Sequence, residues 1–209
     1  MTTSDWLNLL AGLRTTLLLA ALAWLIGLPT GVLLGYLGSR TQWMRRALLL
    51  IGHVVLVTPF LVLLFWAHYP LQVFLGIVVP PFITAASLMA IYVTLCVAAI
   101  VSQAVFDATT EYGELGRALQ LHPRKFARRI ALPVAANRAG RVMLIVAIAT
   151  IQMTMFSSLI GVDDLFRAAQ RVNSEISRPI LVFTAMASLY LLVCTPLYFL
   201  VQRVKPLER

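Results

Sequence analysis

Five long apolar runs restrict the folds open to this chain of 209 residues. Because a helix rises ~1.5 Å per residue, a run of about 20 residues crosses the ~30 Å hydrocarbon core of a bilayer. The sequence is 60% hydrophobic and only 12% charged, so little remains for a soluble domain. We therefore predict one all-α domain over residues 1–209, a multi-pass membrane helix bundle whose five transmembrane helices lie at residues 15–37, 47–66, 82–106, 142–160 and 179–201.

The segments between the apolar runs differ in positive charge. The loop after the first run holds three Lys or Arg residues, residues 107–141 hold seven and the tail holds three, while four lie elsewhere. Because positively charged loops stay in the cytoplasm, we predict the N-terminus outside and the C-terminus in the cytoplasm. A net charge of +9 could also indicate nucleic-acid binding, but these basic residues lie between apolar runs rather than on a folded basic domain.

Small residues recur at every fourth position in the first run, at Ala23, Gly27, Gly31 and Gly35. Such a stripe lets another helix approach closely. We expect that helix to come from the same bundle, and dimerisation is the alternative use of the stripe.

The polar stretch between the fourth and fifth runs, residues 161–177, contains a short helical pattern. Asp163 precedes this pattern, and an aspartate in that position often caps a helix N-terminus. We predict a short helix through Arg171 that is capped by Asp163.

A charged, helix-prone segment separates the third and fourth runs. Tyr112, Leu115, Ala118 and Leu119 have helical spacing and would share one side of a first helix. The His122-Pro123 pair interrupts it, because a residue before proline avoids the helical region, while Pro123 suits the first position of a second helix. In the second helix Phe126 and Ile130 form an apolar pair among basic residues. This pattern predicts a helix–turn–helix that docks another protein.

This segment resembles the cytoplasmic docking loop of ATP-binding-cassette importer permeases. The loop of that family reads Glu-Ala-Ala, three residues, Gly, nine residues, Ile, any residue, Leu-Pro. The chain keeps the spacing with Glu114, Ile130, Leu132 and Pro133. The alternative is a basic loop that only follows the charge rule for membrane proteins.

The chain departs from this motif at three positions. Leu115 and Gly116 stand where the family has alanines, and Gln120 stands where it has glycine. Glycine adopts a left-handed backbone at little cost and glutamine does not, so we expect the turn to move toward His122-Pro123. The resemblance implies that the residues contacting an ATPase are Glu114, Leu115, Gly116, Leu119, Gln120, Phe126, Ile130, Leu132 and Pro133.

The resemblance covers nearly the whole chain and narrows to the polar amino acid uptake branch, of the histidine, glutamine and arginine type. The matching stretches are Leu13–Leu19, Thr58-Pro59, Ile160–Gln170 and Arg178-Pro179. They imply a non-catalytic permease subunit in a bacterial inner membrane that forms half of the pathway of an ATP-driven amino acid importer. The implied partners are cytoplasmic ATP-binding subunits, a second permease subunit and an extracytoplasmic amino-acid-binding protein. The sequence has no Walker-type loop, so ATP and Mg would bind to the partner ATPase, and we expect no cofactor or metal on this chain.

Polar side chains inside the runs are candidates for the substrate pathway. They are Thr58, Gln103, Gln152, Thr154, Ser157 and Ser158, and their alternative role is hydrogen bonding between helices. The ionisable residues usual in the third and fourth spans of the branch are replaced here by Ala99, Ser102 and Gln152-Met153. Since desolvating both charges of an amino acid needs well-placed partners, we expect a heterodimer whose second permease supplies charged groups.

Two other functions remain open from the sequence. An ATP-independent secondary transporter or channel would need an ion relay inside the membrane, where His53 is the ionisable side chain well inside a run. A purely structural membrane subunit is the second.

Overall fold

The computed structural model describes residues 1–120 and 122–204, and within these ranges the chain is helical and contains no strand. The prediction of an all-α fold is confirmed. In that part of the chain the α-helices are α1 (Thr3–Arg40), α2 (Gln42–Val57), α3 (Phe60–His68), α4 (Pro70–Leu75), α5 (Pro81–Ala118), α6 (Pro123–Phe126), α7 (Leu132–Met153), α8 (Leu165–Ile176) and α9 (Pro179–Arg203). A π-helical segment, Ala127–Ala131, joins α6 to α7, and a 3₁₀ segment, Thr154–Ile160, follows α7.

Four continuous helical segments of the described chain are long and apolar enough to cross a membrane: Thr3–Ser39, Pro81–Ala118, Ala127–Ile160 and Pro179–Arg203. A fifth span is formed if the bent pair Gln42–Val57 and Phe60–Leu75 counts as one. The segments extend beyond most of the predicted spans, and α9 agrees with its predicted span to within two residues.

The first helix begins twelve residues before the predicted span because its N-terminus is capped. The backbone N–H of Thr2 donates to Asp5 Oδ2 at 2.6 Å, and the backbone N–H of Asp5 donates to Thr2 Oγ1 at 3.4 Å. This reciprocal capping box satisfies two backbone donors that would otherwise lack helical partners.

The second span, predicted over residues 47–66, is not one continuous helix. It breaks at Thr58-Pro59, and its two halves are inclined at 92°. Thr58 has an extended backbone with ψ of 129°, because the proline ring excludes the helical region for the preceding residue. The second half, α3, then turns its buried Phe60 and Leu64 into the core.

The core is built on the close packing of α1 against α5. An added Cβ on Gly27 or Gly31 would lie within 2.8 Å of Val93 or Val97, so the two helices meet without intervening side chains. The small-residue stripe therefore packs within the bundle, as predicted. Smaller apolar clusters join α8 to α1 and α9, and α5 to α7.

Irregular turns lie before and after α7. Pro133 lacks a backbone N–H and cannot donate to the carbonyl of Arg129, and the wider π-helical turn lies directly before it. The tighter 3₁₀ turn at the other end closes at Gly161, whose φ of 101° reverses the chain. α7 therefore begins and ends in segments that depart from α-helical geometry.

Candidate functional site

A tight turn joins α5 to α6 at one end of the bundle, which we call the basic end. α5 ends at Ala118, and two residues later Gln120 has a left-handed backbone with φ of 49°. A residue other than glycine pays about 1 kcal/mol for this conformation. The prediction that the turn moves toward His122-Pro123 is therefore wrong, because Gln120 itself adopts the backbone that glycine would have taken.

The second helix of this site begins at Pro123, as predicted. The backbone N–H groups of Lys125 and Phe126 both donate to the carbonyl of His122, at 2.8 and 3.0 Å. Leu121 lies outside the described residues. The predicted helix–turn–helix is thus present, with α5 and α6 separated by a short connection.

An exposed apolar face covers the last two turns of α5. Leu115, Ala118 and Leu119 are exposed, and Tyr112 is half-buried beside them. Glu114 is exposed on the same turns. Apolar side chains at this spacing form a stripe that a partner groove can bury.

Phe126 faces its own chain. Its ring lies against Gly116, where an added Cβ would be 2.5 Å from Phe126 Cδ2. The ring also packs on the cluster that contains Ala104, Ala108 and Ala131. Gly116 therefore provides the space that holds α6 on α5, and Phe126 supports the exposed face rather than extending it.

The second half of the predicted docking segment surrounds this contact. Ile130 is half-buried in the π-helical segment, while Leu132 and Pro133 are exposed at the start of α7. Lys125, Arg128 and Arg129 are exposed. Six of the nine predicted contact residues, Glu114 to Gln120 and Phe126, therefore lie at the turn, with Gly116 buried among them. Leu132 lies away from the turn, beside Val32 and Val101.

Two polar contacts fix α5 to its neighbours at the basic end. Arg138 of α7 forms an ion pair with Glu111 at 2.7 Å. Arg45 of α2 lies 3.9 Å from the centre of the Phe106 ring and donates to Gln103 Oε1 at 3.3 Å. Arg45 and Phe106 were not among the predicted site residues, because they lie 61 residues apart in the chain and no sequence pattern links them.

The predicted pathway residues divide into separate groups. Gln103 belongs to the contact with Arg45 and also donates to Asp107 Oδ1 at 2.8 Å. Thr58 lies at the break in the second span, where its hydroxyl donates to the Val54 carbonyl at 2.7 Å. Gln152 is exposed near the end of α7.

The other three pathway candidates lie together in the 3₁₀ segment and are buried. Thr154 donates to the Ile151 carbonyl at 2.7 Å. Ser157 Oγ and the backbone N–H of Ser158 both donate to Asp164 Oδ2 at 3.1 Å. These side chains hold α7 to the following loop, and Gln152 is the exposed polar residue beside them.

Asp164 caps α8, so the prediction of Asp163 as the cap is wrong by one residue. Asp164 Oδ1 accepts from the Arg167 N–H at 2.8 Å. The carboxylate is fully buried, and this burial raises the pKa of Asp164 from 3.8 to about 6, although four hydrogen bonds act in the opposite direction. The apolar residues with helical spacing in α8 begin at Leu165. Their start indicates the residue directly before it, Asp164, as the cap.

Within residues 1–120 and 122–204, no group of three or more His, Cys, Asp or Glu side chains is placed to hold a metal ion. The described chain combines helices long enough to cross a membrane with a helix–turn–helix at the basic end.

The comparisons with known proteins give the family. Residues 27–209 match the family described as binding-protein-dependent transport system inner membrane component, and the chain belongs to this family. The glutamine transport system permease protein GlnP of Escherichia coli strain K12 is 27% identical over 199 residues, which cover 94% of this chain and 91% of GlnP.

Two solved structures share the fold. An amino acid ABC transporter crystallised with histidines superposes with a TM-score of 0.84 at 23% identity, over 93% of this chain and 91% of that chain. The inward-facing MetNI methionine ABC transporter gives a TM-score of 0.73 at 21% identity, over 100% of both chains. Family membership makes this chain a multi-pass permease of the inner membrane. It favours a permease subunit of an ATP-driven importer over a secondary transporter or channel.

Proposed function

We propose that this chain is one of two permease subunits in an ATP-driven amino acid importer. Family membership supports the role of a transport subunit, and the kinship with a glutamine permease supports an amino acid as the substrate. A binding protein outside the membrane delivers the substrate, and ATP with Mg binds to separate ATPase subunits. The two permeases together enclose the pathway.

The basic end of the bundle faces the cytoplasm in this proposal. Arg45 of α2 and Arg138 of α7 both contact the C-terminal half of α5, so the start of α2 and the first half of α7 lie on the side of the bundle that leads to Gln120. This arrangement supports a cytoplasmic position, because positively charged segments are retained there. The N-terminus is then outside, where α8 also lies.

The helix–turn–helix is the observation that carries the proposal. Its exposed stripe of Leu115, Ala118 and Leu119 fits an apolar groove on an ATPase. Closure of the ATPase dimer on ATP displaces this stripe and with it α5, so that the pathway alternates between outward-open and inward-open states.

Removal of the exposed leucines tests this docking. We expect the double variant Leu115→Ala, Leu119→Ala to lose most of its substrate-stimulated ATP hydrolysis, since the loss of a buried anchor costs about 2 kcal/mol or more. Glu114→Lys, which reverses a charge at the same surface, should act in the same direction. The measurement is ATP hydrolysis by the complete complex in proteoliposomes, with binding protein and substrate added.

Two control variants make this experiment specific. Leu10→Ala truncates an equally exposed leucine near the N-terminus of α1, at the end of the bundle opposite the basic end. This variant should leave the activity unchanged. Gln120→Gly relieves the left-handed backbone and should keep the coupling intact. Wild-type hydrolysis in the double variant would show that the docking surface lies elsewhere.

Gln152 is the pathway candidate best placed to contact substrate, because it is exposed while Thr154, Ser157 and Ser158 are buried. We expect Gln152→Ala to raise the KM for transport several-fold and to leave the amount of assembled complex unchanged. Ser157→Ala should instead lower assembly with little change in KM. An unchanged KM for Gln152→Ala would exclude a contact with substrate.

The second permease is expected to be a different chain. Ala99 and Ser102 stand where related permeases place charged residues, and the described pathway candidates are amides and hydroxyls. Binding an amino acid with two such surfaces would leave its ammonium and carboxylate poorly compensated. We therefore expect purification through a tag on this chain to recover a second, related permease. A transport-competent complex with this chain as its sole permease would contradict the heterodimer.

A further inference from the structure

The connection between α3 and α5, residues 69–80, lies at the end of α5 opposite the basic end, and we call it the outer connection. It belongs to a long stretch between Arg46 and Asp107 that contains no Asp, Glu, Lys or Arg. The segment between α7 and α9 differs sharply, since residues 161–178 contain six such residues. The low charge of the outer connection is therefore a local property and is not shared by that second connection.

The polar side chain of Gln72 is turned into the protein. Its amide Nε2 donates to Thr84 Oγ1 at 3.1 Å and lies 3.1 Å from His68 Nδ1. Its Oε1 accepts from the backbone N–H of Val79 at 2.8 Å. Gln72 thus satisfies polar groups of the connection internally, as backbone and side chains must be satisfied where water is absent.

The apolar side chains of the outer connection point away from the protein. Val73 is 82% exposed, Phe74 is 86% exposed and Val78 is 98% exposed. Gly76, with φ of 65°, reverses the chain between them. Polar groups inside and large apolar groups outside are the reverse of the pattern at a water-facing loop.

We propose that the outer connection inserts its tip, Val73 to Val78, among the phospholipid acyl chains of the outer leaflet. Trp66 and Tyr69 are exposed at its base, and aromatic residues of this kind mark the boundary between the acyl chains and the headgroups. This role goes beyond the proposed transport function and does not depend on which substrate is carried.

Lipid fits this surface better than a protein partner does. Val73 and Phe74 are consecutive on α4, so they project about 100° apart, and both are almost fully exposed. An apolar surface on several sides suits a fluid environment, whereas a protein groove covers one side. Protein interfaces also have a polar rim, and residues 69–80 carry no charged side chain that could form one.

Spin-label accessibility tests the proposal in the full complex. Cys96 and Cys194 are replaced by alanine, and a nitroxide is attached to Val78→Cys or Phe74→Cys in vesicles of phosphatidylethanolamine and phosphatidylglycerol. Collisions with oxygen report on acyl chains, and collisions with a water-soluble nickel chelate report on the aqueous phase. Ser174→Cys, on the exposed surface of α8, is the matched control.

We expect the labels at Val78 and Phe74 to collide mainly with oxygen and the label at Ser174 to collide mainly with nickel. Dominant nickel collisions at Val78 and Phe74 would place the outer connection in water and overturn the proposal. Low collision rates with both reagents would show that protein covers the tip, which also overturns it. Since both side chains are exposed, the label itself should not disturb folding.

Discussion

Gly31→Ala is expected to force α1 away from α5 and to destabilise the bundle. The added Cβ would lie 2.6 Å from Val97 Cβ and 2.7 Å from the carbonyl oxygen of Thr94. The carbonyl belongs to a helix backbone and cannot move aside, so overpacking should cost about 1–3 kcal/mol. We expect the temperature at which half of the purified complex remains monodisperse in detergent to fall by about 5 °C.

A glycine in open surroundings provides the control. An added Cβ on Gly140 in α7 has no neighbour within 4 Å. Gly140→Ala should therefore leave the stability unchanged or raise it by up to about 1 kcal/mol through helix propensity. Equal behaviour of the two variants would mean that α1 and α5 do not pack closely in the membrane.

Asp164→Ala is expected to separate α8 from the end of α7. The carboxylate accepts from the Ser158 N–H and from the Arg167 N–H, so its removal leaves two backbone donors without their acceptor, while Ser157 Oγ keeps the Thr154 carbonyl. Losing a helix cap costs about 1 kcal/mol, and each unsatisfied buried donor adds about 1–3 kcal/mol. The variant should therefore assemble poorly, which the yield of intact complex measures.

Asp163→Ala is the matched control for Asp164. Asp163 is exposed and forms ion pairs with Arg167 and Arg171. Exposed ion pairs contribute at most about 1 kcal/mol, so assembly should be nearly normal. A similar loss in both variants would contradict the capping role of Asp164.

The pKa of Asp164 adds a pH dependence with a defined sign. Its folded-state value of about 6 lies above 3.8, so the folded protein binds the proton more tightly than the unfolded chain does. The contribution of this group to stability is therefore fully present below pH 3.8 and is lost as the pH rises toward 6. Relative to the non-titrating variant Asp164→Asn, the wild type should lose stability across that window in thermal unfolding measurements.

Features that follow from local chemistry could be predicted from the sequence. Pro179 starts α9 and Pro123 starts α6, since proline suits the first helical turn. The stripe around Gly27 and Gly31 indicated a close helix contact, and the structure contains it. Thr2 and Asp5 also have the spacing of a capping box, which places the helix start at Thr3. The span was predicted from hydropathy alone and therefore began at residue 15.

Features that depend on distant contacts could not be predicted. The second span was predicted as one helix over residues 47–66, and the angle of 92° at its break depends on how Phe60 and Leu64 pack on the core. Likewise, Gln120 is left-handed against its own preference, and the seat of Phe126 on Gly116 fixes how α6 returns against α5. At Gln120 tertiary packing overrides the local tendency, and at Pro59 it sets the angle of a break that the proline itself favours.

The unbroken length of α5 has a mechanical consequence. The helix runs from the outer connection to the turn at Gln120 over 38 residues, roughly 57 Å at ~1.5 Å per residue. The second span is bent and α7 is flanked by irregular turns, whereas α5 is unbroken between Pro81 and Ala118 and packs along the equally unbroken α1. α5 therefore acts as a stiff lever. A tilt of about 10° would shift one end relative to the other by roughly 10 Å, so that a displacement at the basic end is transmitted to the opposite end of the helix.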